Sequence, residues 1–77
     1  MINAAPNQER THMAPHQQRV VDEHAELRIK LDKLTVFMPT PVFLGLPSDE
    51  QERLRDQHHH MACYLDVLAR RIAAFPA

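Results

Sequence analysis

The sequence predicts an all-α fold: an antiparallel two-helix hairpin with a flexible N-terminal arm and a short helical turn in its linker. Three observations predict it. Val20, Leu27, Leu31, Leu34 and Met38 recur at alternating steps of three and four, with His24 in one slot. Leu54, Met61, Leu65, Leu68, Ile72 and Phe75 repeat that pattern, with His58 in one slot. Only residues 39–47 separate the two seams. An apolar period of about 3.5 is that of two helices packed lengthwise, and so short a connection makes them antiparallel neighbours.

Each element has its own local cause. Residues 1–14 are polar, aperiodic and interrupted by Pro6, so they read as a flexible arm. Pro15 suits a first helical turn, and no Gly or Pro interrupts Gln17 to Met38, which predicts a helix over about residues 15–38. Pro39 and Pro41 stop it, because proline lacks the backbone donor and disfavours a helical residue before it. Thr40 before Pro41 is an N-cap followed by a first-position proline, and Gly45 suits a left-handed C-cap, so a single turn is predicted over 41–44. Ser48 with Gln51 three residues on has the pattern of a capping box, and Asp49 and Glu50 favour the positive end of the helix dipole. The second helix is predicted over about 48–75, with Arg70 and Arg71 at its negative end and Pro76 beyond. Residues 15–77 therefore form the hairpin.

Length sets the next constraint. A chain of 77 residues whose ordered part is one helix pair leaves both flanks open to water, and units this small usually need a disulfide, a metal or self-association. Cys63 has no second cysteine to pair with, so a homo-oligomer is expected. A lone cysteine fits a reducing compartment. Nine basic residues against ten acidic ones exclude the strong basicity of a nonspecific DNA binder, so duplex nucleic acid is not an expected partner. No run of eighteen apolar residues is present and the start lacks a basic and then apolar leader, so the expected setting is the cytoplasm, away from membranes.

Helical geometry then sorts the surface. With residues at 100° steps and the helices antiparallel, one face collects Arg19, Lys30, Lys33 and Phe37 with Arg53, His60, Tyr64 and Arg71, against Glu23 and Glu26. Cations interleaved with a ring suit a ligand that carries phosphates and bases. Each candidate also has an ordinary role: Tyr64 as a residue at the edge of the seam, Arg71 as a C-terminal cation, Lys30 as the i+4 partner of Glu26. The opposite face gathers Val21, Arg28 and Thr35 with Arg55, Ala62, Ala69 and Ala73. There the alanines would admit another helix closely, or reflect helix propensity alone. Ala25, Ile29 and Val36 form a thin apolar strip off the seam, suited to a subunit contact. Val42, Phe43, Leu44 and Leu46 are too apolar for a solvated loop. They either fold back to plug the hairpin's end or join an assembly surface, Phe43 foremost.

Six histidines invite a metal reading, which geometry discourages. His58, His59 and His60 splay about 100° apart on a helix and cannot share one ion from one chain. His12 and His16 have i, i+4 spacing but no carboxylate or cysteine in register. No metal site and no cofactor are expected. An enzyme is not expected either, since Ser48 is committed to capping and Cys63, one turn from His59, lacks a pocket and an orienting carboxylate.

Taken together, Phe37, Phe43, Leu46, Glu50, Gln51, Leu54, Gln57, Met61, Tyr64, Leu68, Arg71 and Ile72, behind an opening helix with Arg19, Val20, Glu23, Glu26 and Leu27, form a pattern that resembles a widespread family of small proteins of tailed phages and prophages, related to one first labelled in a crAss-like phage. The resemblance spans about residues 16–75 and implies a phage accessory protein without bringing a catalytic motif. By analogy of size and architecture it suggests counter-defence, as in oligomeric sponges that hold nucleotide immune signals between subunits. Three functions follow as expectations. The first is a homo-oligomer that sequesters a cyclic oligonucleotide or ADP-ribose derivative through Arg19, Lys30, Lys33, Arg53, His60, Tyr64 and Arg71. The second is an inhibitor or adaptor that docks its apolar linker and arm on a host defence protein. The third is a purely structural oligomerisation module.

Overall fold

The computed structural model describes residues 13–76, and within them the chain forms three helices: α1 at Pro15–Phe37, α2 at Pro41–Leu44 and α3 at Ser48–Ala73. The two long helices pack against each other and run antiparallel. Glu23 near the start of α1 meets Tyr64 late in α3, whereas Thr35 near the end of α1 meets His58 earlier in α3. The arm expected over residues 1–14 falls, except for Met13 and Ala14, outside the described residues.

Every seam residue named from the period faces inward, yet few are fully enclosed. Val20 and Leu68 are buried, while Leu27, Leu31, Leu34, Met38, Leu54, Met61, Leu65, Ile72 and Phe75 are half-buried, as are His24 and His58. Two rods touch along one line, so each seam side chain keeps an edge in water. That wet edge is what lets imidazoles occupy seam slots. The Thr35 hydroxyl donates to the Leu31 carbonyl at 2.9 Å and lies 2.8 Å from His58 Nε2. With its one hydrogen already used, the hydroxyl accepts, so His58 donates from Nε2.

The linker contributes one enclosed side chain. Phe43 is 2% exposed, its ring edge-on to Phe37 at 5.8 Å and 89°, with the Arg55 guanidinium 5.6 Å from its centroid. Of the two readings of the apolar linker, the plug is the one formed by Phe43. The sequence also assigned Phe43 to a subunit contact, but the ring is enclosed by its own chain and offers nothing to a partner. Val42 and Leu44, its neighbours, are 68% and 60% exposed, so a four-residue helix buries one of its three apolar side chains and exposes two.

Polar groups lock this turn. The Thr40 hydroxyl donates to the Phe37 carbonyl at 2.6 Å and accepts from the Phe43 N–H at 3.3 Å, which joins the end of α1 to the start of α2. Gln51 donates from Nε2 to the carbonyls of Leu44 and Leu46 at 3.0 and 2.9 Å, and Arg55 donates to Gln51 Oε1 at 3.1 Å. Gln51 is thereby the strut between linker and α3.

Four local expectations are corrected. The Ser48–Gln51 capping box does not form: Pro47, at φ −55° and ψ 148°, occupies the N-cap, Ser48 is already helical, and Gln51 is spent on the linker carbonyls. Gly45 is right-handed at φ −86°, so positive φ is not what the position requires; a Cβ there would lie 3.3 Å from the Pro41 carbonyl oxygen. α1 ends at Phe37 rather than 38, with Met38 as its C-cap. α3 ends at Ala73 rather than 75, with Ala74 capping it.

A chain of this size holds only about 3–5 kcal/mol of core stability. Phe43→Ala removes a buried ring worth about 3–5 kcal/mol, so it should abolish the cooperative thermal transition in far-UV circular dichroism. Val42→Ala, next to it but exposed, should change stability by about 0.5 kcal/mol or less. Equal effects of the two would contradict the plug.

Candidate ligand-binding site

An open depression of about 220 Å³ lies on one flank of the helix pair, lined by Glu23, Glu26, Leu27, Lys30 and Tyr64. It forms because the seam closes on one line only. α1 turns Glu23, Glu26, Leu27 and Lys30 to the same side within two turns, and α3 lays Tyr64 across from them. The phenol, 44% exposed, donates a hydrogen bond to Glu23 Oε2, which fixes the ring as one wall of the depression. Leu27, a seam residue, forms an apolar part of the lining.

Of the seven residues assigned to ligand binding, Lys30 and Tyr64 line this depression and the other five do not. Arg53 is bound to its own helix, with Nε and Nη2 each 2.8 Å from Glu50 Oε1 and Nη1 3.8 Å from Asp49 Oδ2. His60 is exposed, with its ring centroid 5.4 Å from that of His59. Arg19, Lys33 and Arg71 are exposed and sit elsewhere along the rod. Sharing a rotational face does not bring residues to the same height, and the depression spans about two turns of α1, from Glu23 to Lys30.

The balance of charge inside it therefore differs from the face as a whole: two carboxylates meet one ammonium. Glu26 and Lys30 stand at i, i+4 in the favoured order, yet no ion pair joins them among the described residues, whereas Arg28 pairs with Asp32 at 3.5 Å and Arg70 with Asp66 at 3.1 Å. The expected Glu26–Lys30 pair is replaced by two uncommitted side chains facing one depression. The role of Leu27 was missed on sequence because its seam position reads as core.

The residues assigned to subunit contacts are placed as follows. Ile29 and Val36 are 55% and 71% exposed, Ala25, Ala69 and Ala73 are exposed, and Val21 and Ala62 are half-buried. Cys63 Sγ lies 3.7 Å from His59 Nε2 on the exposed side of α3. No group of three or more potential metal ligands occurs among the described residues, and no helix among them is long and apolar enough to cross a membrane.

A family model described as Sequestin matches residues 14–74, which takes in all three helices and the depression. A protein of Enterobacteria phage T4, described as an uncharacterized 7.5 kDa protein in the denB-rIIB intergenic region, is 36% identical over 63 residues, which is 82% of this chain and 98% of the relative. No solved structure gives a significant match. The two matches support a small phage accessory protein.

The contact between Tyr64 and Glu23 is testable by itself. A double-mutant cycle of Tyr64→Phe with Glu23→Ala, read from urea midpoints, should give a coupling of about 1 kcal/mol, below a buried charged hydrogen bond because water reaches the pair. Strict additivity would mean that the phenol stands free in solution.

Proposed function

We propose a sequestering role for this chain, which belongs to the Sequestin family: a non-enzymatic homo-oligomer that holds a nucleotide-type host immune signal, a cyclic oligonucleotide or an ADP-ribose derivative, and so inhibits anti-phage defence in the host cytoplasm. The observation that carries this reading is the depression in which a tyrosine ring, a leucine and an unpaired lysine stand together. A ring suits base stacking, and an ammonium suits a phosphate oxygen. The family's description and the phage relative are consistent with it.

Size argues for more than one subunit per site. Pockets that enclose a small-molecule ligand run about 300–1,000 Å³, and the depression offers about 220 Å³ on an open flank. One chain supplies a wall and a second copy supplies the cover. The exposed strip of Ile29 and Val36, and the seam left half-buried by a two-helix unit, are the apolar surface that such an assembly would enclose. A second reading, an adaptor or inhibitor that docks on a protein, is favoured by one feature, the exposure of Val42 and Leu44 beside the plugged turn.

Cyclic dinucleotides, cyclic trinucleotides and ADP-ribose derivatives, each tested by thermal shift, separate these readings. A ligand at a hundredfold excess over its Kd adds about 2.7 kcal/mol, which for a domain this small is a rise of roughly 10 °C or more. Lys30→Ala and Tyr64→Ala should each remove the shift, and Arg53→Ala should keep it. A flat response to the whole set would end the sequestering reading. Under the adaptor reading, Val42→Ser with Leu44→Ser should abolish co-purification of a host protein, whereas under sequestration the same variant should keep the thermal shift.

A further inference from the structure

We propose, resting on the reading that the depression takes a nucleotide, that it holds the ribonucleoside part with only the adjoining phosphate at Lys30, and that Glu26 identifies that part by accepting a hydrogen bond from the ribose 2′-hydroxyl. The argument begins from charge. Two carboxylates and one ammonium, all from α1, line the depression, so the phosphates of a ligand are disfavoured inside it and the neutral sugar and base are not. A carboxylate only accepts hydrogen bonds and a phosphate oxygen only accepts them, whereas ribose hydroxyls donate.

The two carboxylates are not equivalent. Glu23 already receives the Tyr64 phenol, and its role is to set the ring that forms the base-facing wall. Glu26 takes part in no side-chain hydrogen bond or ion pair among the described residues, and Lys30, one turn on, is equally uncommitted. The helix rise sets these two about 6 Å apart along its axis. Whatever donor Glu26 meets must therefore adjoin the anion that Lys30 meets. In a 3′–5′-linked ribonucleotide the 2′-hydroxyl adjoins the 3′-phosphate, while the amino groups of a base lie on the edge of the ring remote from the sugar and so farther from that phosphate. The spacing selects the sugar hydroxyl.

The test compares cyclic di-AMP and cyclic tri-AMP, in which a 3′-phosphate adjoins each 2′-hydroxyl, with the 2′-deoxy form of each, by calorimetric titration of the full chain, and includes ADP-ribose, whose phosphates sit on 5′ oxygens, as a probe of binding alone. The ribonucleotide that binds should do so about tenfold or more tightly than its deoxy form, the ratio that one hydrogen bond to a charged group supplies. Glu26→Ala should bring that ratio to about one, and Glu26→Gln, which keeps an acceptor oxygen, should keep part of it. Circular dichroism establishes that each variant is folded. Equal binding of ribo and deoxy forms, or a ratio that survives Glu26→Ala, overturns the assignment to Glu26 while the sequestering reading stands. Absence of binding by every probe overturns both.

Discussion

Two helices can bury one stripe of each other and no more, and the rest of this molecule follows from that limit. Val20, Phe43 and Leu68 are the buried apolar side chains among the described residues, and two of them owe their burial to the seam. The third, Phe43, comes from outside it. A hairpin with an open end would leave Phe37 and the last turn of α1 in water, so the linker folds a four-residue helix back across the gap and inserts one ring. Thr40 and Gln51 then fix that helix at both ends through hydrogen bonds to carbonyls that no regular helix would satisfy.

The same limit explains the depression. Where a third layer would cover Leu27, this fold leaves it half-buried beside Tyr64, and the side chains that flank it are free to be polar. Tyr64 settles against Glu23 because the hydroxyl of a half-exposed phenol finds a charged acceptor across the seam more readily than within its own helix. The result is a wall with an apolar floor and an ionic rim, positioned by two helices rather than by a loop.

How much of this the sequence disclosed depends on the range of the interaction. Seam positions follow from a period, so Val20 through Met38 and Leu54 through Phe75 are legible, and even His24 and His58 reveal themselves as slots in it. The Thr40–Pro41 start of α2 is equally local and equally legible. Ser48 and Gln51 mislead because their pattern has a competitor that sequence does not rank: two linker carbonyls within reach of the Gln51 amide, with Pro47 already in N-cap conformation. Rotational position put Lys30 and Tyr64 on one face correctly, but it carries no information on height or on which cation its neighbours neutralise. Arg53 illustrates the second gap, since Glu50 and Asp49 claim it from the preceding turn.

Charge then acquires a meaning that the whole-chain balance conceals. A face counted as basic becomes, at the depression, a site with more carboxylate than ammonium. In the proposed assembly a second copy covers that concavity and excludes water, which strengthens both attraction at Lys30 and repulsion at Glu23 and Glu26. A site built in this way could not hold a bare polyanion, because each carboxylate would face an oxygen with nothing to donate. It could hold a sugar, a base and one phosphate, with the remaining phosphates directed to cations that the covering copy brings. Arg19, Lys33 and Arg71 are exposed and do not line the depression of their own chain, a distribution that suits the division of labour which the proposed assembly requires.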